Sequence, residues 1–287
     1  MIPLHEKETF LNFIERNVAK APMDLDEGIG TVYERGVIDD YFQEIHDRYG
    51  IQTVLETPAD GVTGMPGVNS IFFAYKGFEV CLTNPSQTML DKAREVWEQK
   101  GIIDLGRFVK CEVDELPFED NQFDMVWNYC IFERFRNPDP LISEMKRVSR
   151  KYVMIMTQNC FNFGTPFHIA YHRLRRSEFD HGYLNLMRMK NIRTVLTRNG
   201  LKEIERGALD IPPWMDTWDM PIRGDLKRIL SMVGKNWEWK QQDSSETQCN
   251  ENNDQPKILP FLTRIEGTLP VWFKIFQAHH LYILAET

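Results

Sequence analysis

Residues 108–133, FVKCEVDELPFEDNQFDMVWNYCIFE, decide the fold. Residues 108–113 alternate apolar and polar side chains as a strand does, Leu116-Pro117-Phe118 turns the chain, and Asp120-Asn121 punctuates before a second, mostly apolar strand at 123–129. A short apolar run bounded by turn residues suits a strand buried on both faces, as in a parallel sheet covered by helices. Working outward, residues 53–56, 79–82 and 152–156 read as further strands. A Gly/Pro loop and segments 68–75, 88–99 and 140–149 separate them, these three reading as helices. Strands separated by single helices imply parallel pairing through right-handed crossovers. The window therefore reads as the cofactor edge of an α/β enzyme.

The flanks extend this pattern. Residues 1–50 read as helices, with one apolar stripe from Phe10, Leu11, Phe13, Ile14 and Val18 and another from Val37, Ile38, Tyr41, Phe42 and Ile45. After Thr157 the regularity fails: 158–183 is rich in His, Arg and aromatic residues, and a helix resumes only at 186–198, stopped by Asn199-Gly200. Residues 202–207 suggest a strand, 210–221 are Pro- and Trp-rich, and 241–257 hold almost no apolar residue, which predicts a mobile loop. A helix interrupted at Pro270 spans 258–277, and a last strand spans 280–285. The expected organisation is an amino-terminal helical cap (1–50), a cofactor-binding core (51–157), a lid and helix (158–200), and the remaining core strands with an inserted segment at 209–278 (201–287).

Composition narrows the function classes. With 287 residues and 42% apolar content the chain can bury a full-sized core. A net charge of -8 and a pI near 5.5 disfavour nucleic acid as a partner, because phosphate binding rests on clustered Lys and Arg. Five cysteines without ligand spacing fit reduced thiols, and the charged start MIPLHEKETF with no long apolar run leads us to expect a cytoplasmic protein without a transmembrane segment. Peripheral contact with a lipid surface through aromatic segments such as PVWFKIF (270–276) stays open, as does the oligomeric state.

In an open parallel sheet, ligands sit beyond the carboxyl ends of the strands, where the strand order reverses. VLE at 54–56 leads into TPADGVTGMPG at 57–67 and then a helix. Polar residues Asn84, Glu112 and Asn128-Tyr129 end the next strands. With these motifs, and with LPF followed by FDxV, residues 50–157 resemble the class I S-adenosylmethionine-dependent methyltransferases of the small-molecule type; HHLYILAE at 279–286 resembles that family's last strand. The resemblance implies a Rossmann-like α/β fold. Its seven-stranded, mostly parallel sheet carries helices on both faces, amino-terminal helices and a lid inserted after the fifth strand. It implies S-adenosylmethionine as cofactor and S-adenosylhomocysteine as product, with Glu56, Pro58, Gly64 and Gly67 in the loop after the first strand and Asn84 and Pro85 at the ribose. Glu112 and Val113 are then at the adenine and Asn128 and Tyr129 on the methionine side. Pro58 stands where the family's first glycine belongs, Asn84 replaces an acidic residue, and Glu133-Arg134 stands where relatives often have Glu-His.

Several further residues carry competing readings. Tyr33-Glu34-Arg35 offers closure over the cofactor's carboxylate, against the plain reading of a solvated arginine. His168 and His172 lie four apart, with Asp180 and His181 downstream, a spacing zinc would accept; neighbouring Arg173, Arg175 and Arg176 oppose a cation, so no metal is expected. The same cluster reads as a lid whose Arg173 and Arg176 recognise an anionic small-molecule acceptor, or as a solvated helix. Trp214 and Trp218 suggest an aromatic wall over the acceptor, with core packing as the alternative. Tyr129, His168 and His172 are the candidate general bases. The expected activity is methyl transfer to a small molecule; the alternatives are a binding module on the same fold with a lost or altered cofactor, and a partner-stabilising subunit.

Overall fold

The computed structural model describes residues 1–20, 28–59, 66–176, 179, 181–211 and 258–287. Strands β1 (Thr53–Glu56), β2 (Glu79–Asn84), β3 (Gly106–Lys110), β4 (Phe123–Tyr129), β5 (Ser149–Gln158), β6 (Lys202–Leu209) and β7 (His280–Glu286) form one sheet in the order β3-β2-β1-β4-β5-β7-β6. Pairing is parallel from β3 through β5, and β7 runs antiparallel between β5 and β6. The chain therefore leaves β1 toward one edge and returns beside it as β4, which makes the β1/β4 carboxyl ends the reversal point.

Period-two alternation explains why the strands read as continuous apolar runs. Val54, Trp127 and Met154 face one cluster with Val37, Ile38, Tyr41, Phe42 and Ile45 of α2 (Gly28–Tyr49). Leu55, Val126, Val153 and Ile155 face the other, with Leu141, Ile142 and Met145 of α5 (Asp139–Val148) and Ile192, Val195 and Leu196 of α7 (Met189–Arg198). Every residue of β4 is buried. Around this frame lie α1 (Leu4–Lys20), α3 (Ile71–Tyr75), α4 (Gln87–Gln99), α6 (Thr165–Arg175), α8 (Ile258–Thr268) and α9 (Val271–Gln277). Ser86 caps α4, its hydroxyl oxygen accepting from Met89 N–H. No helix among the described residues is long and apolar enough to cross a membrane. Trp272, Phe273 and Phe276 of α9 are exposed.

Three sequence expectations need correction. The third strand ends at Lys110, so Glu112 lies two residues past it, in a tight bridge with Glu115. The helix after the first strand begins at Ile71, not at 68. The segment 158–183 contains α6, whose alternating His, Arg and aromatic residues hid its helical period. The expectations about a mobile 241–257 loop, Trp214 and Trp218 lie outside the described residues.

Both halves of the opening motif have structural work toward the amino ends of the strands, where Phe118 packs on Phe123 and Asn121 N–H donates to Arg147 C=O. Asp124, the acid of FDxV, accepts from Gln52 N–H (3.0 Å) and Thr53 N–H (3.3 Å) at the amino end and pairs with Arg150 (2.7 Å) and Lys151 (3.1 Å). Burial pushes its pKa up, but these partners together hold it below the usual carboxylate value. Arg147 of α5 donates to the carbonyls of Leu116 (2.9 Å) and Phe118 (2.8 Å) and to the carboxylates of Asp120 and Glu144 (both 2.8 Å). Glu144 also accepts from Leu116 N–H at 2.9 Å, so the LPF turn is gripped from both sides. Because this grip needs a planar fork, Arg147→Lys is expected to destabilise the protein by about 1–3 kcal/mol in urea unfolding. Arg198→Lys, which touches a single exposed ion pair with Asp139, should stay within about 0.5 kcal/mol of wild type.

Candidate active site

The loop after β1 is tied across the reversal point. Thr57 N–H donates to Trp127 C=O (2.9 Å), Ala59 N–H to Thr83 C=O (2.7 Å), and the Thr83 hydroxyl to the Thr57 hydroxyl (2.7 Å). Glu56 is buried and accepts from the Ser70 hydroxyl at 2.5 Å; Pro58 is also buried. Gly67 has φ +71°, and a Cβ there would stand 2.6 Å from Leu82 Cδ1, so this position requires glycine; its carbonyl accepts from the Trp97 indole at 3.1 Å. Gly64 lies outside the described residues. Asn84 is fully buried, with its Nδ2 donating to Ala59 C=O (3.0 Å) and its Oδ1 accepting from Ser86 N–H (2.8 Å), while Pro85 follows half-buried. Both amide groups expected at the ribose are engaged within the protein.

The β3 side of this edge is covered by α1. Glu112, 52% exposed at its side chain, meets Lys7 at 3.5 Å, and the same ammonium pairs with Asp114, which also accepts from Ile2 N–H (2.6 Å). Burial alone would lower the Lys7 pKa, yet Asp114 and Glu112 reverse this and raise it. Phe10 packs on Phe135 with ring centroids 5.0 Å apart, Arg134 stacks 3.6 Å over Phe13, and Glu6 accepts from Arg136 N–H at 3.1 Å. Val113, Met89 and Ile131 thus share one apolar cluster with Ile2, Phe10, Phe13 and Ile14.

At the carboxyl end of β4 the Tyr129 hydroxyl donates to Glu34 and lies 2.9 Å from His280 Nε2, itself 3.3 Å from Glu34 Oε1. All three residues are buried, and an oxygen of buried Asp210 converges on Glu34 and His280. Tyr33 donates to Glu266 at 2.7 Å, and Glu266 accepts from Asp210 and Ile211 N–H; burial first, then this carboxylate, raises the Tyr33 pKa. Arg35 is buried beside Glu34. Asn128 Nδ2 reaches Met145 Sδ at 3.4 Å, and its Oδ1 has no partner among the described residues. His168 and His172 are not brought to Tyr129: their ring contacts are with His181, Tyr171 and Phe179. Arg173 and Arg176 are exposed.

Comparison with known proteins matches residues 63–156 to the family described as "Methyltransferase domain". That match covers 94 of the 287 residues. Solved structures with a TM-score of 0.50 or more share the fold of this chain. The [4+2]-cyclase SpnF is 12% identical over 87% of this chain and 80% of its own, with a TM-score of 0.52. A geranyl diphosphate methyltransferase in complex with GPP and sinefungin is 12% identical over 86% and 76%, with a TM-score of 0.50. A SAM-dependent methyltransferase from Aquifex aeolicus is 17% identical over 60% and 84%, at 0.45. At these identities the likeness bears on fold alone. No curated protein matches the chain.

S-adenosylmethionine is the cofactor that the domain match implies, and this chain's own residues fit it unevenly. The glycine at 67, the half-exposed Glu112 carboxylate beside buried Val113, and the orphaned Asn128 Oδ1 supply close backbone approach and acceptors for a hydroxyl- and amine-bearing ligand. Position 84 already spends one donor hydrogen and one acceptor lone pair on Ala59 and Ser86. Glu34, His280 and Lys7 emerge from the structure. Glu34 belonged to the Tyr33-Glu34-Arg35 triplet and His280 opened the last strand, whereas nothing in the sequence pointed Lys7 of a separate helix at Glu112.

Glu133, one turn past Tyr129, is fully buried; its Oε1 accepts from Gln158 N–H (2.9 Å) and its Oε2 has no partner among the described residues. Burial raises its pKa, against the Gln158 N–H and the charges of Arg134 and His280. A carboxyl raised on folding contributes stability that is complete below its unfolded value, about 4.3, and is lost as pH rises through the folded value. Urea midpoints of wild type and Glu133→Gln, measured at pH 5 and pH 8, should therefore move in the variant's favour at the higher pH. A difference that is constant, or that shifts toward wild type, would contradict this titration.

Proposed function

We propose that this chain transfers a methyl group from S-adenosylmethionine to a small-molecule acceptor, with Tyr129 at the reacting end. The observation that carries this reading is the Tyr129 hydroxyl held between Glu34 and His280 at the reversal point of the sheet. The bound cofactor supplies an electrophilic methyl group. In this reading Glu56, Pro58, Gly64 and Gly67 form the loop against the amino-acid part, Asn128 and Tyr129 line the methionine side, Asn84 and Pro85 border the ribose, and Glu112 with Val113 receives the adenine. Positioning supplies most of the rate, since fixing two reactants in line replaces a bimolecular encounter. An acceptor hydroxyl loses its proton toward Tyr129, with His280 and Glu34 behind it as the proton's destination. His280 takes the role of base that the sequence gave to His168 and His172. Because Tyr129 is fully buried, the acceptor reaches it only once a covering element has moved.

A second reading rests on Asn84. Its internally satisfied amide, together with the Lys7–Glu112 contact, supports a binding module on this fold whose cofactor is altered or lost. Calorimetry separates the two. The methyl-transfer reading expects S-adenosylmethionine and S-adenosylhomocysteine to bind below millimolar concentration, and Glu112→Ala to weaken binding about tenfold, or ~1.4 kcal/mol. Tyr129→Phe should keep cofactor affinity within about threefold while lowering S-adenosylhomocysteine formation on a panel of phenols, carboxylates and amines by about 10²-fold or more. No binding at millimolar cofactor would sink methyl transfer and leave the second reading standing.

A further inference from the structure

α6 carries His168 and His172 four residues apart, so their rings leave the same helical face one turn apart. His181 then brings a third ring onto the pair. Ring centroids are 5.8 Å apart for His168–His172, 4.5 Å for His168–His181 and 5.6 Å for His172–His181. One ring nitrogen from each lies within 4.8 Å of the other two, and all three residues are buried. Phe179 packs against His172 (5.7 Å) and His181 (4.9 Å), and Tyr171 against His172 (5.8 Å), which walls the cluster with aromatic surface. Tyr183 N–H donates to Glu133 C=O at 2.7 Å, and a Cβ at Gly182 would stand 2.6 Å from that same oxygen, so the backbone next to His181 is pinned to the end of β4.

We propose that His168, His172 and His181 are the ligands of a divalent transition-metal ion of the zinc class, with a fourth position open to water or another small ligand. Tetrahedral zinc with Zn–N of about 2.0–2.1 Å places ligand nitrogens ~3.3 Å apart, and the three histidine nitrogens already lie within 4.8 Å of one another. Nitrogen ligands select zinc, cobalt, nickel or copper over magnesium and calcium, which take oxygen. The arginines that count against a cation in the sequence, Arg173, Arg175 and Arg176, are exposed to solvent, where water and salt screen them. Three protein ligands leave one coordination site, and the ion ties α6 to the chain that leads back to β4. The assignment stands independently of the methyl-transfer reading, because none of the three residues belongs to the Tyr129 site.

The test uses the full chain without a polyhistidine tag, dialysed against chelator and titrated with Zn²⁺ and with Co²⁺ alone. The expected results are uptake of about one equivalent of zinc, the intense visible absorption of four-coordinate cobalt, and a melting temperature that rises with zinc. His168→Gln and His181→Gln should each weaken zinc binding at least about tenfold, while exposed His5→Gln leaves it unchanged. Circular dichroism checks that each variant is folded. The cobalt spectrum of wild type decides the matter even if a variant misfolds. Absence of stoichiometric zinc or cobalt uptake at about 50 μM metal, or equal affinity in wild type and both folded variants, would overturn the site and leave three packed histidines.

Discussion

The guanidinium of Arg147 is the contact on which the connection between β3 and β4 depends. Residues 111–122 join the edge strand β3 to the central strand β4 and contain little that could hold them in place: a two-residue bridge, a proline and a run of acids. Arg147 meets two carbonyls and two carboxylates along that path. Glu144 closes the grip on Leu116 N–H, and its carboxyl is held below the usual value, chiefly by Arg147. Arg147 thus holds the 116–120 side of the connection, and Lys7 and Ile2 hold Glu112 and Asp114 on the other side. A lysine could neutralise the acids but could not reach four acceptors in one plane.

Asp124 complements this close by. Its carboxylate ties the amino ends of β1, β4 and β5, so this end of the sheet is anchored by charge. The carboxyl ends carry the reverse arrangement: Glu56, Asn84, Glu34, Glu133 and His280 are buried and satisfied through local hydroxyls, amides and backbone groups, with single atoms such as Glu133 Oε2 left over. Burying polar groups costs stability unless each finds a partner, and concentrating them at one end marks where the fold spends stability for other ends.

The sheet was legible because its signals are local. Strand runs at 53–56 and 123–129 match β1 and β4, and apolar stripes on 37–45 match the buried face of α2. What the sequence could not display is convergence. Glu34, Tyr129 and His280 are separated by 95 and 151 residues, and only the meeting of α2, β4 and β7 makes them a unit. The same holds for Lys7 and Glu112. Asn84 shows the complementary limit: its position at a strand end was read correctly, but its side chain could not be assigned to ligand or backbone without knowing that Ala59 C=O and Ser86 N–H lie within reach.

Glu133 connects the two polar centres. Its side chain accepts from the last residue of β5, its carbonyl accepts from Tyr183, and its backbone leaves room at 182 for glycine alone. Gly182 has φ +112°, a conformation that any side chain would strain even without the contact. The histidine cluster is therefore not a separate appendage to the core. A side chain at 182 would press on the Glu133 carbonyl, four residues from Tyr129. Interiors packed to crystal density transmit such displacements instead of dissipating them. The backbone after His181 and the turn after β4 thus hold each other in place through one buried hydrogen bond and one position that admits only glycine.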